Sequence, residues 1–363
     1  MTHPWSEERI VGLVGPQGSG KTFLLNSLLG TDPEDLDRLG EEDAPNEPSV
    51  GVVTWRDINI ALMDNLDQEA MFHAADALIF VIASSDGVDA ATAELWQRCI
   101  EEEIPRMVVI TKLDDPRADM DETVAVLRRL FSEGPELIRL TMPVLDDDEQ
   151  LAGFIDLATT EIWDWTTPEL SIVNADPEHL ALIAEAREEL IADIAMISES
   201  DGLTNSVVLG MQPSIDALTG ALEEASIGGY AQLIVGHGLR ENDITVGTEL
   251  ILDLIVDALP DPSLRLTPVV ARPDGTPHLP IDADPESALV GEVIHADADA
   301  LSLVRIYAGA LREHVHTNNG IVEILEITEM TPNLIWISTE RPLKHLATIS
   351  LPSSPLIIQD VNV

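Results

Sequence analysis

Eight consecutive residues, Gly15-Pro16-Gln17-Gly18-Ser19-Gly20-Lys21-Thr22, have the types and spacing of a phosphate-binding loop. Gly15, Gly18 and Gly20 free the backbone to turn its N–H groups inward around an anion. Lys21 supplies a mobile positive charge for β- and γ-phosphates, and Thr22 a hydroxyl for Mg²⁺. The run RIVGLVG (9–15) before the loop reads as a buried strand. KTFLLNSLLG after it reads as a helix ending at Gly30, with its positive end toward the anion. That strand–loop–helix context separates the motif from a chance glycine turn.

A second constellation, Thr111-Lys112-Leu113-Asp114, ends the apolar run RMVVIT (106–111). Loops at the carboxyl ends of parallel strands are where open α/β sheets bind ligands. A carboxylate there can accept both N–H donors of guanine's Watson–Crick edge, a pattern adenine cannot supply. Alone, four residues fit a solvated loop equally well. Lysine is scarce, however: Lys21, Lys112 and Lys344 are all there are, and two of them stand in these motifs. The expected ligands are GTP or GDP with Mg²⁺. An adenine-nucleotide protein is the more distant reading.

The elements that would carry these residues follow from apolar periodicity. Residues 31–50 are acidic with three prolines and read as loop, and 52–62 read as one half-exposed edge strand. ALIFVIA (77–83) suits a strand buried on both faces, and 89–102 and 117–131 read as helices. Alternating strands and helices predict an α/β domain with a mostly parallel, doubly wound sheet. Residues 178–225 are helical in pattern, YAQLIVG (230–236) is a strand and TELILDLIVDAL (248–259) a helix. PDP at 260–262 ends this domain, so we divide the chain into 1–262 and 263–363. In the second part ALVGEVIHA, ALSLVRIYAG, REHVHT, IVEILEI, NLIWIS and LATISL are short and alternating, which predicts a small antiparallel β-barrel.

The bulk numbers restrict partners. Nineteen Lys+Arg against 66 Asp+Glu in 363 residues give −47. Such a surface repels DNA and anionic membrane; it reads as a solubilising coat or as adaptation to salt. Cys99 is the sole cysteine, which fits a reducing cytoplasm, and the N-terminus has no signal-peptide pattern. No apolar run approaches the ~20 residues of a membrane helix. His314 and His316 alternate on one strand without a third metal ligand, and the acidic runs EDLD (34–37) and LDDDEQ (145–150) lack calcium-loop spacing.

The chain resembles the translation GTPases, and within them elongation factor G and its divergent bacterial paralogues. The resemblance runs through VGLVGPQGSGKT, SVGVVT (49–54), AADALIFVIASSDGVDAATAELWQ (74–97) and PRMVVITKLDDPRAD (105–119). It continues through LAGFIDLAT (151–159), AREELIADIA (186–195), TELILDLIVDALPDP (248–262) and SLVRIYAGAL (302–311). It implies a P-loop GTPase domain followed by a β-barrel like the family's second domain. It also implies guanine nucleotide and Mg²⁺ as ligands, and the ribosome or a ribosome-associated protein as partner. Lys21 and Thr22 match the family's phosphate and Mg²⁺ ligands. Thr111, Lys112 and Asp114 match its guanine-reading motif, with Thr for the commoner Asn. Gly236-His237-Gly238 falls where the family has a Ser-Ala turn under the base.

The departures bear on hydrolysis. In LMDNLDQEAMFHAAD (62–76), Asp64 matches the Mg²⁺-linked aspartate of the family's Asp-x-x-Gly, but Asp67 stands where its glycine approaches the γ-phosphate. The stretch to Ala74 is expected to be too short for the family's loop and helix. No residue clearly matches the one that positions water; His73 reads as a local helix residue, and the Mg²⁺-binding threonine of the 31–50 loop is unassigned. The last ~13 residues, 351–363, fall where a third domain would begin. We expect a nucleotide cradle with a damaged trigger and weakened hydrolysis. The alternatives are an active ribosome-stimulated GTPase in translation or ribosome protection, and a non-enzymatic interaction module.

Overall fold

The computed structural model describes residues 5–30, 48–167, 169–198, 201–240, 243–265, 267–278 and 280–359. Along the chain, β1 (Glu8–Val14) leads to α1 (Lys21–Leu28), then β2 (Ser49–Trp55), β3 (Ile58–Asp64) and α2 (Gln68–Ala74). Next come β4 (Ala77–Ala83), α3 (Ala90–Glu101), β5 (Arg106–Thr111), α4 (Met120–Leu130) and β6 (Glu136–Arg139). Four short strands follow: β7 (Thr141–Leu145), β8 (Leu151–Asp156), β9 (Glu161–Asp164) and β10 (Ser171–Asn174). Helices α5 (Pro177–Leu182), α6 (Ala184–Ile197), α7 (Asp201–Val208) and α8 (Ile215–Ile227) precede β11 (Ala231–Gly236). After β12 (Gly238–Arg240), β13 (Ile244–Val246) and α9 (Thr248–Ala258) come β14 (Val270–Ala271), β15 (Val290–Ala296) and β16 (Leu301–Ala308). The last strands are β17 (His314–Thr317), β18 (Gly320–Thr331), β19 (Leu334–Thr339), β20 (Thr348–Ser350) and β21 (Ile357–Ile358).

The described residues fall into two compact units. One draws on Leu13–Glu42 and Ala77–Leu259, the other on Met1–Gly12, Asp43–Asp76 and Pro260–Val363. In the first, β4, β5, β11 and β6 lie side by side and parallel, as the continuous apolar runs predict. Every residue of β4, β5 and β11 is buried. The flanking helices begin on side-chain caps: Asp89 accepts the Thr92 N–H at 2.8 Å, and Asp119 accepts the Glu122 N–H at 2.8 Å. An additional antiparallel sheet, β10-β9-β8-β7, was not visible in the sequence. Its middle is sealed by Phe154, Trp163 and Trp165 against Val246 and Leu250.

In the second unit β3 pairs parallel with β1 and antiparallel with β2. The expectation of one strand over 52–62 is corrected: Arg56 (φ 49°) and Asp57 (φ 63°) make a tight hairpin turn between two strands. Both are left-handed without being glycine, so composition did not mark the turn. The six alternating segments close into a barrel ordered β15-β16-β19-β18-β17-β20, the antiparallel barrel expected. Among its inward residues, Val293, Val304, Ile306, Val315, Ile337 and Ile349 are 0–1% exposed. Each such side chain stabilises the barrel by roughly 1.5–3 kcal/mol relative to exposure.

Candidate functional site

The loop between β1 and α1 is built on three left-handed glycines, Gly15 (φ 144°), Gly18 (φ 79°) and Gly20 (φ 91°). Gly15 also lies against β4: a Cβ there would stand 2.2 Å from the Val81 carbonyl oxygen. Gly20 caps α1, and its carbonyl accepts the Leu24 N–H at 2.9 Å. Lys21 Nζ donates to the carbonyls of Gly15 (3.0 Å) and Pro16 (2.9 Å). An ammonium has three donors, so this fold-back leaves one for a ligand. Ser19 is 2% exposed, and its hydroxyl has no partner among the described residues. Gln17, Gly18 and Thr22 are exposed. A buried hydroxyl without a partner, left-handed glycines and a lysine form a donor set that fits phosphate oxygens.

The second motif is brought to this loop. Thr111 Oγ1 donates to the Ser19 carbonyl at 2.5 Å and lies 3.3 Å from the Ile82 carbonyl. Lys112 takes a left-handed backbone (φ 57°), and its ammonium pairs with Asp86 Oδ2 at 2.8 Å. That hydrogen bond, then the lysine's charge, holds the Asp86 carboxyl below its usual range. Asp114 is exposed, and its Oδ1 accepts the Leu239 N–H at 2.9 Å. Asp115 is gripped by both sides of the Arg117 guanidinium, at 3.1 and 2.7 Å, which lowers its carboxyl to about 2. Asp86 and the Leu239 amide were not picked out from sequence. The Asp86-Gly87 pair just past β4 was the available signal.

Gly236-His237-Gly238 closes the same cluster. A Cβ on Gly236 would strike the Phe154 ring at 2.3 Å, and one on Gly238 would lie 2.5 Å from Leu151 and 3.2 Å from Asp114 Oδ1. The His237 N–H donates to the Ile110 carbonyl at 2.8 Å, fixing the turn to β5. Its ring is 1% exposed, packs edge-on against Phe23 at 5.8 Å, and has no partner for Nε2 among the described residues. Burial pushes its pKa down to about 4, so it is neutral at physiological pH.

Asp64 ends β3 and is 4% exposed; its Oδ1 accepts the Asn65 N–H at 2.7 Å. Asp67 is the N-cap of α2, accepting the Ala70 N–H at 3.1 Å, and its Oδ2 lies 3.2 Å from His345 Nε2. The stretch is short as expected: it holds the helix α2, and the loop before it is reduced to Asn65–Asp67. His73 is indeed a residue of α2. Its Nδ1 lies 2.8 Å from the buried Glu292, a hydrogen bond that raises its pKa. The EDLD run and most of the 31–50 loop lie outside the described residues. In LDDDEQ, Asp146 Oδ1 accepts the N–H of Asp148 (2.9 Å) and Gln150 (3.0 Å), and Oδ2 pairs with Arg240. Among the described residues, no three or more His, Cys, Asp or Glu are placed to hold a metal ion.

The sequence pattern of the elongation factor Tu GTP binding domain matches residues 67–261, more than half of the chain. The chain belongs to the translation GTPases, in their elongation factor G-like branch. The Thr111–Asp114 and Gly236–Gly238 segments lie inside the matched span and the phosphate loop precedes it. An elongation factor G-like protein of Mycobacterium tuberculosis is 31% identical over 333 residues, 84% of this chain and 45% of that protein. Elongation factor G 2 of Hahella chejuensis is 23% identical, covering 98% of this chain and 57% of that one. The chain thus spans about half the length of the curated relatives it matches. A solved structure from Thermus thermophilus superposes with a TM-score of 0.69 at 20% identity, over 98% of this chain and 54% of that one, so the fold is shared. Among the described residues no helix is long and apolar enough to cross a membrane.

Proposed function

We propose that this chain binds GDP and GTP through Gly15–Thr22, Thr111, Lys112, Asp114 and Gly236–Gly238, and that it hydrolyses GTP slowly. One observation supports the binding reading above the rest: the Thr111 hydroxyl grips the Ser19 carbonyl at 2.5 Å, joining the phosphate loop to the base-reading motif. Lys21 would contact the phosphates and the Ser19 hydroxyl would gain the partner it lacks. Asp114, held at Oδ1 by the Leu239 amide, would offer its carboxylate to guanine N–H groups. We assign Thr22 to Mg²⁺, which when bound would neutralise phosphate charge. By chain order the domains are 1–262 and 263–363.

The slow hydrolysis reading rests on Asp67. Phosphoryl transfer depends almost wholly on positioning and charge stabilisation. Here the position of the family's mobile glycine is held by a side chain that caps α2 at 3.1 Å from Ala70 N. The same feature favours a non-enzymatic, cytoplasmic binding module as the second reading, with the ribosome or a ribosome-associated protein as partner. The test is phosphate release from GTP with Mg²⁺, with and without ribosomes. Turnover at or below intrinsic GTPase rates, unmoved by ribosomes, supports the reading. Strong ribosome stimulation would replace it with an active translational GTPase.

A further inference from the structure

The segment from Asp64 to Asp76 is tied along its length to residues of the barrel half of its unit. At the start of α2, Asp67 Oδ2 meets His345 at 3.2 Å. Near its end, His73 Nδ1 meets Glu292 Oε2 at 2.8 Å, and the Tyr307 hydroxyl lies 2.8 Å from the His73 carbonyl and 3.0 Å from Glu292. Arg265 donates to the Phe72 carbonyl at 2.9 Å and to the Ala75 carbonyl, closing the C-terminal end of the helix. Asp76, one residue further, is bonded to Arg305 at 2.6 Å with both side chains 1% exposed. Ala70, Met71, Phe72 and Ala74 are buried beneath these contacts.

A sensor of the last phosphate must have two arrangements of similar free energy, because a ligand shifts an equilibrium only by its differential affinity for the two states. The contacts above favour one arrangement strongly. Helix carbonyls that would need new partners are satisfied by Arg265 and Tyr307. Moving Asp76 away from Arg305 would strand two buried charges. The substitution of Asp67 for the family's glycine is part of the same design: it adds a cap at one end and a contact with His345 at 3.2 Å, where a sensor would need freedom.

We propose that the Asp64–Asp76 segment is a strap fixed to the barrel by Arg265, Glu292, Arg305, Tyr307 and His345, so that guanosine diphosphate and triphosphate leave it in one conformation and bind with similar affinity. The affinity part rests on the guanine-binding reading above; the strap itself does not.

The test is hydrogen exchange of the full chain over residues 66–76, alone, with GDP, and with a non-hydrolysable GTP analogue, both with Mg²⁺, alongside titrations of both nucleotides. The expected result is exchange equal within about twofold in the two complexes and dissociation constants within about threefold of each other. The variant carrying Glu292→Gln and His345→Ala should exchange at least ~10-fold faster over 66–76, while β16 and β19 stay protected as the sign of an intact fold. Exchange that differs more than ~10-fold between the diphosphate and triphosphate complexes of the wild type would overturn the proposal. So would a folded double variant whose 66–76 exchange is unchanged. If neither nucleotide binds, the guanine reading fails by itself, and the variant still decides whether the strap exists.

Discussion

Asp76 and Arg305 form an ion pair 2.6 Å long, 229 residues apart in the chain, with each side chain only 1% exposed. Burial raises the Asp76 pKa, and the charges of Arg305 and then Arg265 pull it back, so the carboxylate depends on its partners. Arg305→Met should therefore cost up to about 3–5 kcal/mol, because it leaves the buried carboxylate with only Arg265, 3.9 Å away. Asp76→Leu combined with Arg305→Met should cost less than the single change. Denaturant midpoints followed by circular dichroism check both.

The Thr111 hydroxyl can be removed at nearly constant volume. Thr111→Val deletes the 2.5 Å bond to the Ser19 carbonyl. Guanine-nucleotide affinity should fall by about 5–15-fold, the equivalent of roughly 1–1.5 kcal/mol for one hydrogen bond. Titration with a fluorescent GDP measures it, and unchanged affinity would separate the two motifs functionally.

Gly15→Ala tests the cradle by sterics. The added methyl would sit 2.2 Å from the Val81 carbonyl oxygen, at a φ of 144° that side chains rarely adopt. Nucleotide binding should be lost. Gly18→Ala, whose Cβ meets nothing within 4 Å, should be milder.

Two histidines make opposite contributions to stability across pH. His237 has its pKa lowered to about 4 by burial, so the folded state favours the neutral ring. Its contribution is full above the unfolded value of about 6.5 and is lost as pH falls through about 4, on the order of 3 kcal/mol in all. His73 is raised, chiefly by the Glu292 hydrogen bond. Its contribution is full below about 6.5 and is lost as pH rises through its folded pKa. In urea titrations, His237→Phe should flatten the acid limb of the stability profile, and His73→Gln should remove the loss that begins as pH rises above about 6.5.

Much of this was legible in the sequence, for physical reasons that differ by element. The phosphate loop was visible because Gly15, Gly18 and Gly20 are needed for a backbone shape few other residues take. The barrel was visible because each short strand buries one face, and alternation records that. The sheet of β7 to β10 was not: its strands are 4–6 residues long. The β2–β3 turn uses Arg56 and Asp57 in place of glycine and so left no mark. The strap was invisible because its contacts, such as His73 with Glu292, join residues 219 positions apart. Asp67 was seen as a missing glycine; only the fold shows what the aspartate does instead.

The most direct test of a guanine-nucleotide site in this chain is a fluorescent GDP titration with Mg²⁺ on the wild type, Lys21→Ala and Asp114→Asn, with unlabelled GTP and ATP as competitors. The account predicts saturable binding displaced by GTP and not by ATP, and lost or greatly weakened in both variants. Absence of binding to a folded wild-type chain, or displacement by ATP as readily as by GTP, would contradict it.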